Sequence, residues 1–91
     1  MKIECNPAKD KINQKKHGIS LAAAAGMDWS RATIIQDERY DYGEDRYWVV
    51  DYIDNGKRLY ILACTMQGQI IRAISLRKAN KREVKRYGKQ D

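Results

Sequence analysis

Apolar and polar residues alternate along three segments in the second half of the chain, with the two-residue period typical of β-strands. The pattern predicts strands at 46–54, 57–65 and 70–77, with Asn55-Gly56 as the tight hairpin turn between the first two. Shorter stretches of the same kind predict strands at 1–5 and 32–35. Most of these strands follow one another directly, so we expect an antiparallel sheet.

Helix signals lie toward the two ends of the chain. Asn6 and Pro7 predict the start of a helix over 7–17, and Gly18 is placed to end it. Residues 21–27, with four consecutive alanines, predict a second helix, and Asn80 can cap a third one over 81 to 87. The resulting order, β-α-α-β-β-β-β-α, describes a single α+β domain over 1–91.

Composition narrows the class of protein. No apolar run approaches the ~20 residues of a membrane-spanning helix, and the first seven residues lack the apolar stretch of a secretory signal. We therefore expect a cytoplasmic protein with no membrane partner, in which Cys5 and Cys64 stay free thiols. One histidine and two separated cysteines make no zinc-ligand set, so we expect no metal site and no cofactor. Magnesium held by carboxylates is the alternative that composition leaves open.

Positive charge is concentrated at the two ends of the chain. The last sixteen residues hold seven of the eighteen Lys and Arg residues but only two acidic ones, while the whole chain has a net charge of +6. The first seventeen residues are also basic, and an acidic loop at 36–45 lies between the two basic segments. Clustered positive charge indicates a polyanionic partner, most commonly nucleic acid. The alternative is a solvated, Lys-rich terminal helix without a partner.

Arg72 lies between apolar residues of the strand predicted at 70–77. Strict alternation places Arg72 with Ile74 and Leu76 on one face, and Ser75 with Arg77 on the other.

An arginine on a rigid strand is suited to bidentate phosphate binding, and a nearby serine hydroxyl can donate to the same group. A cross-strand ion pair with Asp51 is the alternative role for Arg72. For Ser75 the alternative is packing beside Ala73.

His17 is the only histidine, the side chain type that exchanges protons near neutral pH. It lies at the end of the first predicted helix, where it can shuttle a proton or simply cap the last helix carbonyls. RNA cleavage without metal needs a base, cations for the phosphate and an acid, and Lys, Arg, His and Tyr can supply all three. The basic segments contain each of these types, so ribonuclease activity is one function that the sequence allows.

Four segments, in order, resemble the BrnT family of toxins. The first, Pro7-Ala-Lys-Asp-Lys-Ile-Asn-Gln-Lys-Lys-His-Gly-Ile-Ser20, is similar to the family's Pro-x-Lys-x-x-x-Asn-x-x-Lys-His-Gly-Val-Ser. Met27-Asp-Trp29 resembles Phe-Asp-Trp, and Asp37-Glu-Arg-Tyr-Asp-Tyr-Gly-Glu-Asp-Arg46 resembles Asp-x-Arg-x-Asp-Tyr-Gly-Glu-x-Arg. Ile71-Arg-Ala-Ile-Ser-Leu-Arg-Lys-Ala79, followed by Glu83 and Tyr87, is similar to the family's ending.

The resemblance implies a RelE-like fold and an endoribonuclease toxin of a type II toxin–antitoxin system, which cleaves RNA without metal and inhibits translation. It also implies a cognate BrnA-type antitoxin, a ribbon-helix-helix protein. Two toxins are expected on one antitoxin dimer, and operator DNA is expected to be contacted only through the antitoxin.

Site residues follow from the matching positions and from the basic segments. The resemblance implies catalytic roles for Lys16, His17, Arg72, Arg77 and Tyr87, with Arg72 and Arg77 holding phosphate. RNA contacts are expected from Lys9, Lys15, Ser75, Lys78, Lys81, Arg82 and Lys85. Supporting roles are expected for Asn13, Asp41, Glu44 and Arg46, the last three as an ion-pair set that holds the acidic loop.

Two other functions compete with the ribonuclease. One is a basic RNA- or ribosome-binding module without catalysis, whose binding would depend on salt and involve many cations about equally. The other is an interaction protein, whose basic end docks on an acidic antitoxin segment through residues such as Arg82 and Lys85.

Overall fold

Within residues 1–88 the chain forms five strands, two α-helices and one 3₁₀ helix. In chain order these are β1 (Lys2–Cys5), α1 (Pro7–His17), the 3₁₀ helix Leu21–Gly26, β2 (Thr33–Asp37), β3 (Arg46–Tyr52), β4 (Leu59–Gln67), β5 (Ile70–Lys78) and α2 (Lys81–Tyr87). The computed structural model describes residues 1–88, so Lys89 of the basic C-terminal segment lies outside the described residues.

The five strands make one sheet in the order β1-β5-β4-β3-β2. Strands β2 to β5 are antiparallel to their neighbours, as predicted, but β1 pairs with β5 in parallel. The sheet is therefore mixed, and the prediction of a purely antiparallel sheet was wrong. The strands β1 and β5 are separated in the chain by two helical segments and three strands, so no tight hairpin turn constrains them to be antiparallel.

Helix α1 has the ends that the sequence predicts. The Asn6 side chain accepts hydrogen bonds from the backbone N–H groups of Ala8 and Lys9, at 2.9 and 3.2 Å. Gly18 ends the helix with a φ of 72°, in the left-handed region that favours glycine, and its N–H binds the Gln14 carbonyl. His17 is therefore not the group that caps this helix.

The second predicted helix is a 3₁₀ helix rather than an α-helix. Its buried residues are Leu21 and Ala24, and Met27 directly after it is also buried. These positions recur every third residue, which is the period of a 3₁₀ helix, so that one narrow apolar edge faces the sheet.

The β3–β4 connection differs from the predicted two-residue turn. It spans residues 53–58, and the left-handed residues are Asp54 and Asn55 rather than Asn55 and Gly56. The longer loop contacts the end of the 3₁₀ helix, where the N–H of Asp54 donates to the Gly26 carbonyl at 2.9 Å. Aspartate and asparagine tolerate this backbone conformation better than most residues.

The two faces of the sheet differ in what covers them. On the covered face, α1 and the 3₁₀ helix pack over an apolar core, whose fully buried side chains include Leu21, Val49, Leu62, Cys64 and Leu76. The opposite face, here called the open face, holds a smaller cluster of Val50, Leu59 and Ile61, on which Tyr87 of α2 packs. Both cysteines are free, and burial raises the pKa of Cys64 to about 12.

Candidate functional site

A β-bulge in β5 decides which of its side chains share a face. Ala63 of β4 pairs with Ser75 while the adjacent Cys64 pairs with Ala73, so Ile74 is the extra, unpaired residue. The alternation therefore changes phase at Ile74. Ile71, Ala73 and Leu76 belong to the covered core.

The same phase change brings Arg72, Ser75 and Arg77 together on the open face. Their register partners on β4 are Thr65, Ala63 and Ile61, alternate residues of a regular strand. The face assignment predicted from strict alternation, with Arg72 opposite Ser75 and Arg77, was wrong because a bulge inserts one residue without a partner.

A row of charged and hydroxyl side chains crosses the open face. The register pairs Asp37 with Arg46, Arg46 with Thr65, Thr65 with Arg72, and Glu4 with Arg72. Thr65 is only 4 % exposed. Within residues 1–88 Arg72 forms no ion pair or hydrogen bond, so its guanidinium is available to an anion.

The alternative ion pair between Arg72 and Asp51 is not formed. Asp51 pairs with Tyr60 in the sheet, on the covered side, and its carboxylate accepts the N–H of Asp28 at 2.7 Å. The Asp51 carboxylate therefore accepts a backbone hydrogen bond on the face of the sheet opposite Arg72.

Arg46 does not form the ion-pair set predicted with Asp41 and Glu44. Its guanidinium carbon lies 3.9 Å from the centre of the Tyr42 ring, and its buried Nε has no hydrogen-bond partner in the described part of the chain. Asp41 instead accepts the N–H of Gly43 at 3.0 Å. Two guanidinium groups of the open face, Arg46 and Arg72, thus lack acidic partners among residues 1–88.

The acidic loop is held by a different pair, Asp37 and Arg39. The guanidinium Nε and Nη2 of Arg39 donate to the two carboxylate oxygens of Asp37, at 3.0 and 3.1 Å. Tyr42 donates its hydroxyl proton to the same carboxylate at 3.0 Å. The hydrogen bond from Arg39, with the help of Tyr42, lowers the pKa of Asp37 to about 2.

Trp48 lies beside the basic row, opposite Ala63, which in turn lies opposite Ser75. The guanidinium carbon of Arg39 lies 4.6 Å from the centre of the Trp48 ring, within the range of a cation–π contact. These side chains border a hollow of about 220 Å³, lined by Arg39, Trp48, Ile61, Ala63, Ser75 and Arg77.

Arg77 is engaged within the chain. Its two terminal nitrogens donate to the two carboxylate oxygens of Glu83, at 2.8 and 2.9 Å. Glu83 also accepts the N–H of Asn80 and completes a capping box at the start of α2. The hydrogen bonds from Arg77 lower the pKa of Glu83 and raise that of Arg77. Of the two predicted phosphate-binding arginines, only Arg72 has its whole guanidinium available.

Asn13 attaches helix α1 to the edge of β5 that faces away from β4. Its buried side-chain amide donates to the carbonyls of Ile19 and Leu76, and its oxygen accepts the N–H of Leu76 at 3.0 Å. Because β1 pairs only with the first part of β5, Asn13 satisfies backbone groups that the sheet leaves unpaired. Its supporting role is therefore structural.

Three other predicted residues of α1 lie on the same side of the helix as Asn13. Lys9, Lys16 and His17 are four residues before, three after and four after it, which is the spacing of one helix face. Lys9 lines a shallow pocket with Arg72 at the parallel edge of the sheet. His17 is half-buried and forms no hydrogen bond or ion pair within residues 1–88. This pocket thus brings Lys9 to Arg72, whereas Lys16 and His17 do not line it.

Tyr87 and the remaining cations lie elsewhere. Tyr87 packs on the apolar cluster of Val50, Leu59 and Ile61, near the end of the sheet that carries the β3–β4 loop. Lys15, Lys78, Lys81, Arg82 and Lys85 are exposed and form no ion pair with any described residue. They extend the positive surface without joining the row around Arg72.

Sequence reasoning missed three residues of the open face: Arg39, Trp48 and Thr65. Arg39 lies in the acidic loop predicted at 36–45 and Trp48 in the strand predicted at 46–54, and nothing local to either residue indicates a binding role. Cross-strand register, which the sequence does not state, is what places Thr65 beside Arg72 and Trp48 beside Ala63.

Within residues 1–88, no group of three or more His, Cys, Asp or Glu side chains is arranged to hold a metal ion. None of the helices in this part of the chain combines the length and the apolar character that crossing a bilayer requires.

Comparison with known proteins gives the family. No curated protein matches the chain. The family model described as the ribonuclease toxin BrnT of type II toxin–antitoxin systems matches residues 6–83, which include α1, the acidic loop and all of β5. The chain therefore belongs to the BrnT family of ribonuclease toxins.

Proposed function

We propose that the protein is a metal-independent endoribonuclease whose open face binds the RNA backbone. The observation that supports this most is the grouping of Arg72, Ser75 and Arg77 beside Arg46 on the face that α1 leaves uncovered. Phosphate oxygens are the natural partners of guanidinium groups that lack a carboxylate. A mixed sheet with α1 and the 3₁₀ helix on one face and α2 packed on the other also supports a RelE-like fold.

Arg72 is the principal phosphate ligand in this proposal. The 2′-oxygen of the RNA attacks the adjacent phosphorus, the bond to the 5′-oxygen breaks, and a 2′,3′-cyclic phosphate and a 5′-hydroxyl result. The phosphate gains negative charge during attack, and a cation fixed on a strand stabilises that charge without reorganisation. Ser75, on the same face with a hydroxyl that binds no described residue, donates to a phosphate oxygen.

Proton transfer is assigned to α1. His17 takes the proton of the 2′-hydroxyl as general base, and the ammonium group of Lys16 or Lys9 donates a proton to the departing 5′-oxygen, which leaves as the 5′-hydroxyl. This assignment rests on the shared helix side of these residues and on the position of Lys9 beside Arg72. It requires the RNA to contact α1 and the Arg72 side chain of β5 at the same time.

Arg77 and Tyr87 have indirect roles in the same proposal. The Arg77–Glu83 pair fixes α2 to the end of β5, and Tyr87 packs that helix against the sheet. Both residues thereby position the basic side chains of α2.

Translation inhibition follows from cleavage of translated RNA, which places the activity in the cytoplasm. The antitoxin is proposed to be a BrnA-like ribbon-helix-helix protein, with two toxins on its dimer. An acidic antitoxin segment would bind the exposed Lys81, Arg82 and Lys85 of α2. Reversing the charge of Arg82 or Lys85 should then weaken antitoxin binding more than RNA cleavage.

The test is cleavage of a labelled single-stranded RNA by antitoxin-free protein in the presence of EDTA. Wild-type protein should cleave, and Arg72→Ala should be slower by roughly 10²–10³-fold, the usual cost of losing one oxyanion donor. Arg58→Ala, an equal charge change in the β3–β4 loop at the other end of the sheet, should stay close to wild type. Intact RNA after incubation with the wild-type protein would refute the enzyme.

A non-catalytic RNA-binding module is the second candidate. The observation in its favour is that Lys16 and His17 form no hydrogen bond or ion pair within residues 1–88, so no described partner orients them for proton transfer. It predicts that His17→Gln leaves RNA affinity unchanged and that no cleavage product forms with any variant. The ribonuclease predicts product formation, with a rate that falls in His17→Gln and a pH profile that loses one of its limbs.

A further inference from the structure

We propose that the hollow beside Trp48 is a binding site for one unpaired base of the RNA. The inference deepens the proposed function and depends on it for the nature of the ligand. The hollow lies next to the row of Arg46, Thr65 and Arg72 and measures about 220 Å³.

Two flat groups border the hollow. One is the indole of Trp48, and the other is the guanidinium of Arg39, whose carbon lies 4.6 Å from the indole centre. Unpaired RNA bases stack on aromatic rings and on arginine guanidinium planes. At 4.6 Å the two groups contact each other, so a base cannot enter between them and would stack on the side of this pair that faces the hollow.

The plane of Arg39 is fixed in advance. Asp37 holds it through two hydrogen bonds, and the Asp37 side chain is only 4 % exposed. Because Arg39 is already held by Asp37, its side chain loses little further conformational freedom when a base binds, which reduces the entropic cost of stacking.

Small residues leave the space open. Ala63 lies between Trp48 and Ser75 in the cross-strand register, at the middle of the sheet. A larger side chain at this position would occupy the hollow. The polar lining comes from Ser75, whose hydroxyl has no partner among residues 1–88, and from Arg77. The Ser75 hydroxyl can accept a hydrogen bond from the edge of a base while it donates its proton to a phosphate oxygen, whereas both terminal nitrogens of Arg77 are bound to Glu83.

The position of the hollow favours a nucleotide over other flat ligands. Trp48 and Arg46 are two residues apart on β3, as are Ala63 and Thr65 on β4, which is about 7 Å along a strand. A base beside Trp48 therefore places its own sugar and phosphate near Thr65 and Arg72. A site for a base next to a site for its phosphate is the arrangement that single-stranded nucleic acid requires.

Binding of two probes tests the proposal. One is a single-stranded RNA oligonucleotide with 2′-O-methyl groups, which cannot be cleaved, and the other is inorganic polyphosphate, which has charge but no bases. Trp48→Ala should weaken oligonucleotide binding by roughly 5- to 100-fold, the usual effect of losing one stacked base, and leave polyphosphate binding unchanged. Trp48→Phe keeps an aromatic ring and should retain most of the affinity.

A second variant tests the site without touching Trp48. Ala63→Leu fills the hollow and should weaken oligonucleotide binding as Trp48→Ala does, again with no effect on polyphosphate. If Trp48→Ala lowers the stability too far for binding work, this variant decides alone.

Fluorescence supplies a direct reading of stacking. In Trp29→Phe the only remaining indole is Trp48, and its emission should be quenched by the oligonucleotide but not by polyphosphate. The matched control is Trp48→Phe, whose only indole, Trp29, packs against the covered core and donates to the Ala24 carbonyl at 3.0 Å. Its emission should not change.

The outcomes separate this site from the proposed function. Unchanged oligonucleotide affinity in Trp48→Ala and Ala63→Leu, with RNA cleavage intact in the wild type, would overturn the base site and leave the ribonuclease standing. Equal losses for both probes would also overturn it, because the effect would then not concern a base. Base-dependent binding without any cleavage would refute the ribonuclease and keep the site. Loss of antitoxin affinity alone would show that Trp48 serves a protein partner and would overturn the proposal.

Discussion

The covered face and the open face of the sheet differ in what their side chains contact. On the covered face, Leu62, Cys64 and Leu76 are fully buried beneath α1 and the 3₁₀ helix. On the open face, Arg46 and Arg72 have no acidic partner in the described part of the chain. Strand β5 contributes to both, and the bulge at Ile74 lets it place apolar and cationic residues on opposite sides. The fold is thus stabilised mainly on one face, and the other is left available for binding.

The largest expected effect is a loss of stability on substitution in the covered face, compared with almost none in the open face. Leu62→Ala should lower the free energy of unfolding by about 2–5 kcal/mol, because a fully buried side chain leaves a cavity. Arg72→Ala should change it by no more than about 0.5 kcal/mol, since this exposed side chain has no partner among residues 1–88. Urea denaturation of the two variants measures both values. Similar losses would contradict the division between the faces.

A smaller loss is expected at the edge of β5, where the two faces meet. Asn13→Ala should lower the free energy of unfolding by about 1–3 kcal/mol, because the N–H and carbonyl of Leu76 lose their partner. Lys11→Ala, an exposed change on the same helix, is the matched control and should stay within about 0.5 kcal/mol of wild type. If both variants unfold at the same urea concentration, Asn13 does not hold α1 to the sheet.

A still smaller loss than that of Asn13→Ala is expected at the partly exposed Arg77–Glu83 pair. Glu83→Gln keeps a side chain that can complete the capping box but removes its charge, and should cost less than about 1 kcal/mol near neutral pH. Arg77 lowers the pKa of Glu83 below its ordinary 4.5, so the stabilisation is complete above that pH and is lost as the pH falls through the lower value. The difference between wild type and variant should therefore shrink in acid.

Urea denaturation at neutral pH and at progressively lower pH measures this effect. Glu38→Gln, which alters an exposed carboxylate with no ion pair among the described residues, is its control. A difference between wild type and Glu83→Gln that grows in acid would contradict the assignment.

Much of the fold could be predicted from local sequence. Asn6, Pro7 and Gly18 define α1, and Asn80 begins α2, because caps are set by residues close to the helix ends. The strands from β3 to β5 agree with the alternation of apolar and polar residues. The helix over 21–27 was predicted, but its 3₁₀ type was not, because alanine has the highest α-helix propensity and the type depends on the packing of Leu21 and Ala24.

The candidate site was less accessible to sequence reasoning. The sequence indicates Arg72, Ser75 and Arg77 as candidates. Alternation does not reveal a bulge, so the prediction that Arg72 lies on the face opposite Ser75 and Arg77 was wrong. The partners of Arg77 and Arg46 were also missed, since pairing with Glu83 or packing on Tyr42 depends on how loops and helices return to the sheet. Register placed Thr65 and Trp48 in the site, and register is a property of strand pairs rather than of one strand.

The salt dependence of RNA binding tests the role of the open face most directly. Affinity for a non-cleavable single-stranded RNA should be measured between low and moderate salt for wild type, Arg72→Ala and Arg58→Ala. If Arg72 neutralises one phosphate, its loss should reduce the slope of log affinity against log salt by about 0.7, whereas Arg58→Ala should leave the slope unchanged. Equal slopes for the two variants would show that RNA does not bind preferentially at Arg72 and would contradict the assignment of the open face.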